Sequence, residues 1–411
     1  MSCLWRLPLP ACALLCALPA AQPPKKNWPD AEVMAVHNSA LLIDTHNDVP
    51  LRVLEGLDFG RRSNTGHTDL ARMREGGMSA QFFAAYVAAG FVRENRAANR
   101  ALRMIDAIRT GIVERNAGQL ALATTADEIL AARKTGKIAA LIGIEGGHAI
   151  EDDLGLLRMF FQLGVRYMTL THFNHNSWAT SSGEEAVPPG RPPGLTAFGR
   201  QVIAEMNRLG MMVDVAHVSD ATFQDVMEAS RAPVFNSHSA CRALSDIPRN
   251  MSDDMIRQMA RKGGLILINA GCEFLSPESA AFSPMLNPAA AAKVREKVAS
   301  IADPKERGAA ARKITAEMEA QMPRASIAGF VAHIAHVKRI AGVDFVGLGS
   351  DFDGVSCVPE GLEDVSKWPN LTRALLENGY TPAEIRKIYG ENMLRFMRAV
   401  EEAGRKLRAA R

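Results

Sequence analysis

From about residue 40 onward, short apolar runs alternate with longer amphipathic stretches. Eight runs have strand length: ALLIDTHNDV (40–49), SAQFFAAYV (79–87), KIAALIGIEGG (137–147), VRYMTLTHF (165–173), MMVDVAHVS (211–219), PVFNSHSA (233–240), GGLILINAG (263–271) and FVGLGSDFDG (345–354). Near-continuous apolar character in strands this short fits burial on both faces, as in a parallel sheet covered by helices. Between them, helical periodicity appears over 94–116, 152–164 and 195–210. The last of these closes on Gly210, and Ser219-Asp220 has the form of a helix N-cap. Eight strand–helix units in succession predict an α/β fold, a (β/α)8 barrel of the TIM type. Residues 275–325, rich in Ala, Lys, Arg and Glu, predict a helical insertion between the seventh and eighth strands.

Composition supports a folded chain. With 411 residues, 47% hydrophobic and 23% charged, there is ample material for a core, which excludes intrinsic disorder. A barrel can hold this length as one domain. The 48 Lys and Arg against 45 Asp and Glu give a net charge of +3, too small for a broad electrostatic grip on nucleic acid or anionic lipid. The first residues, MSCLWRLPLPACALLCALPAAQ, combine Arg6, a short leucine-rich run and the small exit residues Ala20 and Ala21. That is the form of a secretory signal peptide, predicted to span 1–21 and to leave one domain over 22–411. The run is short and broken by Pro8, Pro10 and Pro19, which argues against a membrane span. Ala11-Cys12 comes too early for lipidation, and the basic tail carries no anchor signal. Cys3, Cys12 and Cys16 would depart with the leader. The scattered Cys241, Cys272 and Cys357 then allow at most one disulfide within the chain.

The apolar runs end on residues that bind metals or move protons. The first ends on His46-Asn47-Asp48, whose outer members project to one side of an extended segment and suit one divalent cation. Alone, that tripeptide would equally fit an exposed turn. Glu145 follows a wholly apolar stretch, where an unpaired carboxylate would be costly and one bridging two cations would not. His217 and His238 end the fifth and sixth runs. Neutral imidazole is a common zinc ligand, and equivalent strand ends of a barrel face one another. His46, Asp48, Glu145, His217 and His238 therefore compose a binuclear site with Glu145 shared. His172 is placed to polarise a carbonyl or stabilise an oxyanion. Arg249 suits a substrate carboxylate, held by a bidentate pair, or else a surface salt bridge. Asp351 can take a proton from water, give one to a leaving amine, or pair with a substrate ammonium. His148 and His175 read as supporting or loop residues, and His37, His67, His333 and His336 receive no role.

With these residues in place, the sequence resembles the renal or membrane dipeptidase family of amidohydrolase-type barrels. The resemblance rests on IDTHNDVP (43–50), GIEGGH (143–148), RYMTLTHFNHNSW (166–178), VDVAHVS (213–219), NSHSA (236–240), RN (249–250), GSDFDG (349–354) and VPEGLEDVSKWP (358–369), in family order over nearly the whole mature chain. It implies a zinc-dependent dipeptidase. His46 and Asp48 would hold one Zn2+, His217 and His238 the other, and Glu145 would bridge them. His172 would contact the scissile carbonyl, Arg249 the free carboxylate, and Asp351 the amine and the proton transfer. Catalysis would thus fall to Asp351, His172 and Glu145. The resemblance further implies dipeptide substrates, tolerance of a C-terminal D-residue, β-lactam hydrolysis in some members, and a homodimer. Two departures stand out. Animal relatives carry a glycolipid anchor and structural disulfides, whereas this chain looks like a bacterial exported enzyme, periplasmic or secreted. Asn269-Ala270-Gly271-Cys272 also lacks the aromatic side chain expected near the substrate. The rival readings are a hydrolase of a lactone, β-lactam or phosphoester on the same site, and a non-catalytic peptide-binding protein.

Overall fold

A computed structural model describes residues 28–183, 187 and 189–410. The predicted leader at 1–21 lies outside the described residues, and among those described no helix is long and apolar enough to cross a membrane. Nine strands form: β1 (Leu42–Asp44), β2 (Met78–Tyr86), β3 (Leu120–Leu122), β4 (Ile138–Glu145), β5 (Val165–Thr169), β6 (Met212–Asp214), β7 (Phe235–Ser239), β8 (Leu265–Ile268) and β9 (Val346–Leu348). All pairings between them are parallel. The order β2-β1-β9-β8-β7-β6-β5-β4, closed by β2 against β4, makes an eight-stranded barrel from the eight predicted runs.

The ninth strand, β3, was not foreseen, and its place has a simple cause. β5 begins with Val165 opposite Ile142, so it leaves the edge of Ile138–Ala140 open. β3 fills that edge, pairing Leu120, Ala121 and Leu122 with those three residues. Without that segment, Ile138 N–H, which donates to Gln119 O, and Ala140 O, which accepts from Ala123 N–H, would lack their partners.

Strand alternation divides the apolar residues into two layers. Ile138, Ala140, Ile142 and Ile144 of β4 face the helices, together with Ile266 and Ile268 of β8. Ala139, Leu141, Tyr167, Met212, Phe235, Leu265 and Leu267 fill the barrel, whose floor is closed by Met393, Phe396, Met397 and Val400 of the C-terminal helix.

The helices follow the expected signals, with one difference. The helix Ala197–Leu209 ends on left-handed Gly210, and Ser219 caps Asp220–Ala229 by accepting from Thr222 N–H. The predicted 94–116 helix is α-helical only over Ala97–Asp106, then widens over Ala107–Val113 and tightens over Glu114–Asn116. Within the wide turns Gly111 faces Val53, whose Cγ1 stands 2.8 Å from where a Cβ would sit. The insertion after β8 is helical, chiefly Pro288–Val298 and Pro304–Glu319, capped by Asn287 and Asp303. Cys272 and Cys357 form a disulfide that ties the segment after β8 to the segment after β9, and Cys241 is a buried free thiol.

Candidate metal centre and substrate cavity

The functional side chains continue the inward rows of the barrel strands. On β4 the row Ala139, Leu141, Gly143 ends at Glu145, and on β8 the row Leu265, Leu267 is followed by Asn269. Inward positions lower in the barrel are apolar because they touch only one another. The top layer is polar because it faces the mouth.

Glu145 is the hub. Its Oε1 lies 3.0 Å from His217 Nε2, 3.5 Å from His238 Nε2 and 3.6 Å from His172 Nε2, while Oε2 lies 3.6 Å from His46 Nε2. His46 Nε2 is also 3.3 Å from Asp48 Oδ2 and 4.0 Å from Asp351 Oδ1. Three overlapping groups have ligand atoms within 4.8 Å of one another: His46, Asp48 and Glu145; Glu145, His172 and His217; and His46, His238 and Asp351. All five expected ligands are thus together, with Glu145 shared between two groups. His172 and Asp351, read from sequence as substrate residues, stand close enough to offer ligand atoms too.

The donors fit divalent cations. His217 Nε2 and His238 Nε2 approach to 3.0 Å, so two ring nitrogens compete for one direction. His46 Nε2 is buried without a hydrogen-bond partner. Burial drives His217 and His238 well below the usual imidazole range, with the Arg249 charge helping, so both stay neutral and free to ligate. Burial alone would raise Glu145, but the imidazoles around it, His46 foremost, hold it well below the usual carboxylate range. Burial pushes Asp351 well above that range, and the nearby Asp48 and Glu145 charges add to the effect. Gly354 permits this crowding: a Cβ there would lie 2.4 Å from both Asp351 Oδ1 and Asp48 Oδ2.

The other ring nitrogens are held from behind. His46 Nδ1 is 2.8 Å from Tyr167 Oη, and His238 Nδ1 is 2.7 Å from Ser237 Oγ. Ser237 Oγ donates in turn to Asp214 Oδ2 at 2.6 Å, and Asp214 Oδ1 accepts from Ala216 N–H, one residue before His217. Such outer partners fix ring orientation and ligand basicity. Tyr167 reaches across the barrel because its paired residue is Gly143; a Cβ there would lie 1.9 Å from the ring Cζ. His217 and Asp351 both hold left-handed backbone, φ 63° and 61°, a region uncommon outside glycine that His and Asp enter more readily than most residues.

A cavity of about 290 Å³ opens over the cluster, lined by Asp48, Glu145, His172, His217 and Asp351 on one side and by Arg249 and Phe274 on another. Arg249 is buried, and Nη2 donates to His238 O at 3.2 Å. Its Nε and Nη1 have no hydrogen-bond partner. Burial lowers its pKa to about 10, so it is still a cation near neutral pH. A buried guanidinium with two unmatched donors is a receptor for a carboxylate. Burial also brings His172 to about 4, so it is neutral and able to donate one hydrogen bond. Asn269 Nδ2 donates to Asp351 Oδ2 at 2.8 Å.

The model of the Membrane dipeptidase family (peptidase family M19) matches residues 30–411. The chain belongs to this family. It is a metallopeptidase of the M19 type with candidate metal sites that share Glu145. The dipeptidase verJ of Clonostachys rogersoniana is 35% identical over 383 residues, covering 89% of this chain and 86% of that protein. Among solved structures, the probable dipeptidase PvdM from Pseudomonas aeruginosa aligns with a TM-score of 0.79 at 26% identity, covering 91% of this chain and 98% of that one. A metallo peptidase from Rhodobacter sphaeroides, liganded with a phosphinate mimic of the dipeptide L-Ala-D-Ala, aligns with a TM-score of 0.70 at 26% identity over 88% and 99% of the two chains.

For this M19 member, several site residues escaped sequence reasoning. Asn269 and Tyr86 had a signal, since both extend an inward strand row, and Tyr86 packs on His172 with ring centroids 4.7 Å apart. Tyr167 had none, because its role depends on a contact across the barrel. The aromatic group expected after the seventh strand is missing at 269–272, yet Phe274 fills the cavity beside Arg249, its ring centroid 5.3 Å from Cζ. His148 and His175 serve locally, as expected: His148 Nε2 lies 2.7 Å from Val87 O, and His175 Nδ1 accepts from Ser181 N–H.

Proposed function

We propose that this M19 enzyme is a zinc-dependent hydrolase of free dipeptides that accepts a D-residue at the C-terminal position. The observation that carries the reading is Arg249, a buried cation with two unmatched donors in the same cavity as the candidate metal cluster. Five residues would hold two Zn2+ ions: His46 and Asp48 one, His217 and His238 the other, and Glu145 both. Bound cations of this kind supply Lewis acidity and lower the pKa of water towards neutrality. Arg249 takes the free carboxylate and sets the distance to the scissile bond. A longer peptide would leave that guanidinium unpaired in the interior, which discriminates against it. Neutral His172 donates to the carbonyl oxygen as negative charge develops there. Asp351, oriented by the hydrogen bond that Asn269 donates to it, delivers a proton to the leaving amine. Acceptance of a D-residue draws support from the Rhodobacter sphaeroides relative, which holds a mimic of L-Ala-D-Ala.

The leader-like sequence at 1–21 supports export, which in a bacterium leads to the periplasm or beyond, with 22–411 as one catalytic domain; the homodimer rests on the family resemblance. The test is hydrolysis of L,L- and L,D-dipeptides, an N-acetylated dipeptide and a tripeptide by protein stripped with chelator and then reloaded with zinc. Zinc-dependent cleavage of the free dipeptides alone is the expected result. A protein that holds two zincs and cleaves no dipeptide would keep the metal site and refute the substrate, and lactones and β-lactams would be tried next.

A further inference from the structure

The cavity has an acidic wall away from the metal cluster. Glu273 sits on the short helix Cys272–Leu275 that follows β8, is 7% exposed, and lines the cavity. Its Oε2 has no hydrogen-bond partner. Glu319, at the end of the insertion helix Pro304–Glu319, lines the same cavity. Among the described lining residues Arg249 is the only Lys or Arg, and the Asp351 and Glu145 carboxylates favour its charged form. Glu273 is therefore a buried carboxyl without a cation, and burial raises its pKa to about 7. Desolvating such a group is costly unless something pairs with it.

Its place relative to Arg249 is fixed by the backbone. Ser245 Oγ donates to Glu273 O at 3.3 Å and Asn250 Nδ2 donates to Phe274 O at 2.9 Å, so the loop that carries Arg249 is bonded to the segment that carries Glu273. The Cys272–Cys357 disulfide anchors the same segment from the other side. If Arg249 holds the substrate carboxylate, the residue bearing that carboxylate occupies the cavity that Glu273 also lines. We propose that Glu273, supported by Glu319, is a specificity-determining residue that favours dipeptides whose C-terminal residue has a cationic side chain, as lysine does. This rests on the dipeptidase reading above.

The experiment compares kcat/KM for Ala-Lys and Ala-norleucine, which share a four-carbon stem and differ in the ammonium, on zinc-loaded wild type and E273Q. Lys-Ala and norleucine-Ala serve as the reversed pair, and Ala-Ala reports basal dipeptidase activity in wild type. Wild type is expected to prefer Ala-Lys by roughly 10- to 100-fold, the range of one charge-assisted contact. In E273Q the ratio should fall to within about 3-fold of one through loss on Ala-Lys, as expected when the charge-assisted component is removed. The wild-type ratio keeps the proposal open to refutation even where E273Q folds poorly. A ratio near one in wild type that cleaves Ala-Ala overturns the proposal and leaves the dipeptidase reading standing. A preference confined to the reversed pair overturns the placement of Glu273 at the carboxylate end. Cleavage of none of the dipeptides sinks the underlying reading and this proposal with it.

Discussion

Replacing Arg249 by Met tests the carboxylate clamp most directly. The guanidinium is buried, keeps its charge near neutral pH, and has two donors, Nε and Nη1, without a protein partner. Two hydrogen bonds to a carboxylate would engage them, each worth about 1.5–3 kcal/mol where charge is involved. Taken together and discounted for non-additivity, the loss is about 3–4 kcal/mol, or roughly 100- to 1,000-fold in binding. Because the carboxylate is held alike before and during bond cleavage, the loss should fall on KM, with kcat changed far less. Steady-state kinetics on Ala-Ala for wild type and R249M give both constants. The dipeptide amide Ala-Ala-NH2 adds an internal check: wild type should reject it by a comparable factor, and R249M should hardly discriminate. The variant should still fold, since methionine fills the space beside Phe274 and only the single bond from Nη2 to His238 O is lost. A KM within about 3-fold of wild type, in a variant with unchanged melting temperature, would remove Arg249 from substrate binding; that threshold is well below the loss of even one such bond.

Three further predictions concern what holds the site together. Tyr167→Phe removes the partner of His46 Nδ1 and should weaken metal affinity by roughly 10- to 100-fold, measured by chelator competition; unchanged affinity would make the tyrosine a packing residue only. Stripping with chelator should lower the melting temperature, since an ion in 1,000-fold excess over its Kd stabilises the native state by about 4 kcal/mol. An identical melting curve with and without zinc would count against the cluster as a metal centre. The Cys272→Ser, Cys357→Ser double variant releases an 85-residue loop, and the chain-entropy model sets the loss at about 4–5 kcal/mol as an upper bound. Denaturant titration of oxidised wild type against the variant would show it, and coincident curves would refute a stabilising disulfide.

The barrel was legible because its eight strands are apolar runs that stop abruptly at a polar residue. That pattern arises when inward positions pack on one another until the mouth is reached, so the same abrupt stop marks both a strand end and a site residue. His46, Glu145, His217, His238 and Asp351 were all singled out this way, and the structure places them in three overlapping groups of candidate metal ligands. What escaped were relations between distant positions. β3 exists because β5 starts late, which no local pattern in Leu120–Leu122 records. Cys272 and Cys357 find each other because two strand ends lie side by side, 85 residues apart in sequence. Glu273 looks like any helix-surface glutamate until the fold buries it in the wall of the cavity.

Gly143 shows how one small residue connects these levels. It occupies an inward position between Leu141 and Glu145, where any side chain would strike the Tyr167 ring. The empty space lets the phenol cross the barrel and meet His46 Nδ1, which turns Nε2 towards Glu145. An alanine there would not touch a metal ligand, a substrate residue or the mouth of the cavity. It would displace the ring that orients His46, and because Glu145 Oε2 faces that histidine while Oε1 faces the other three, the effect would fall on one half of the shared site. Loss of one ion with retention of the other is therefore the signature of Gly143→Ala. Equal weakening of both would mean that the tyrosine supports the barrel as a whole and not His46 in particular.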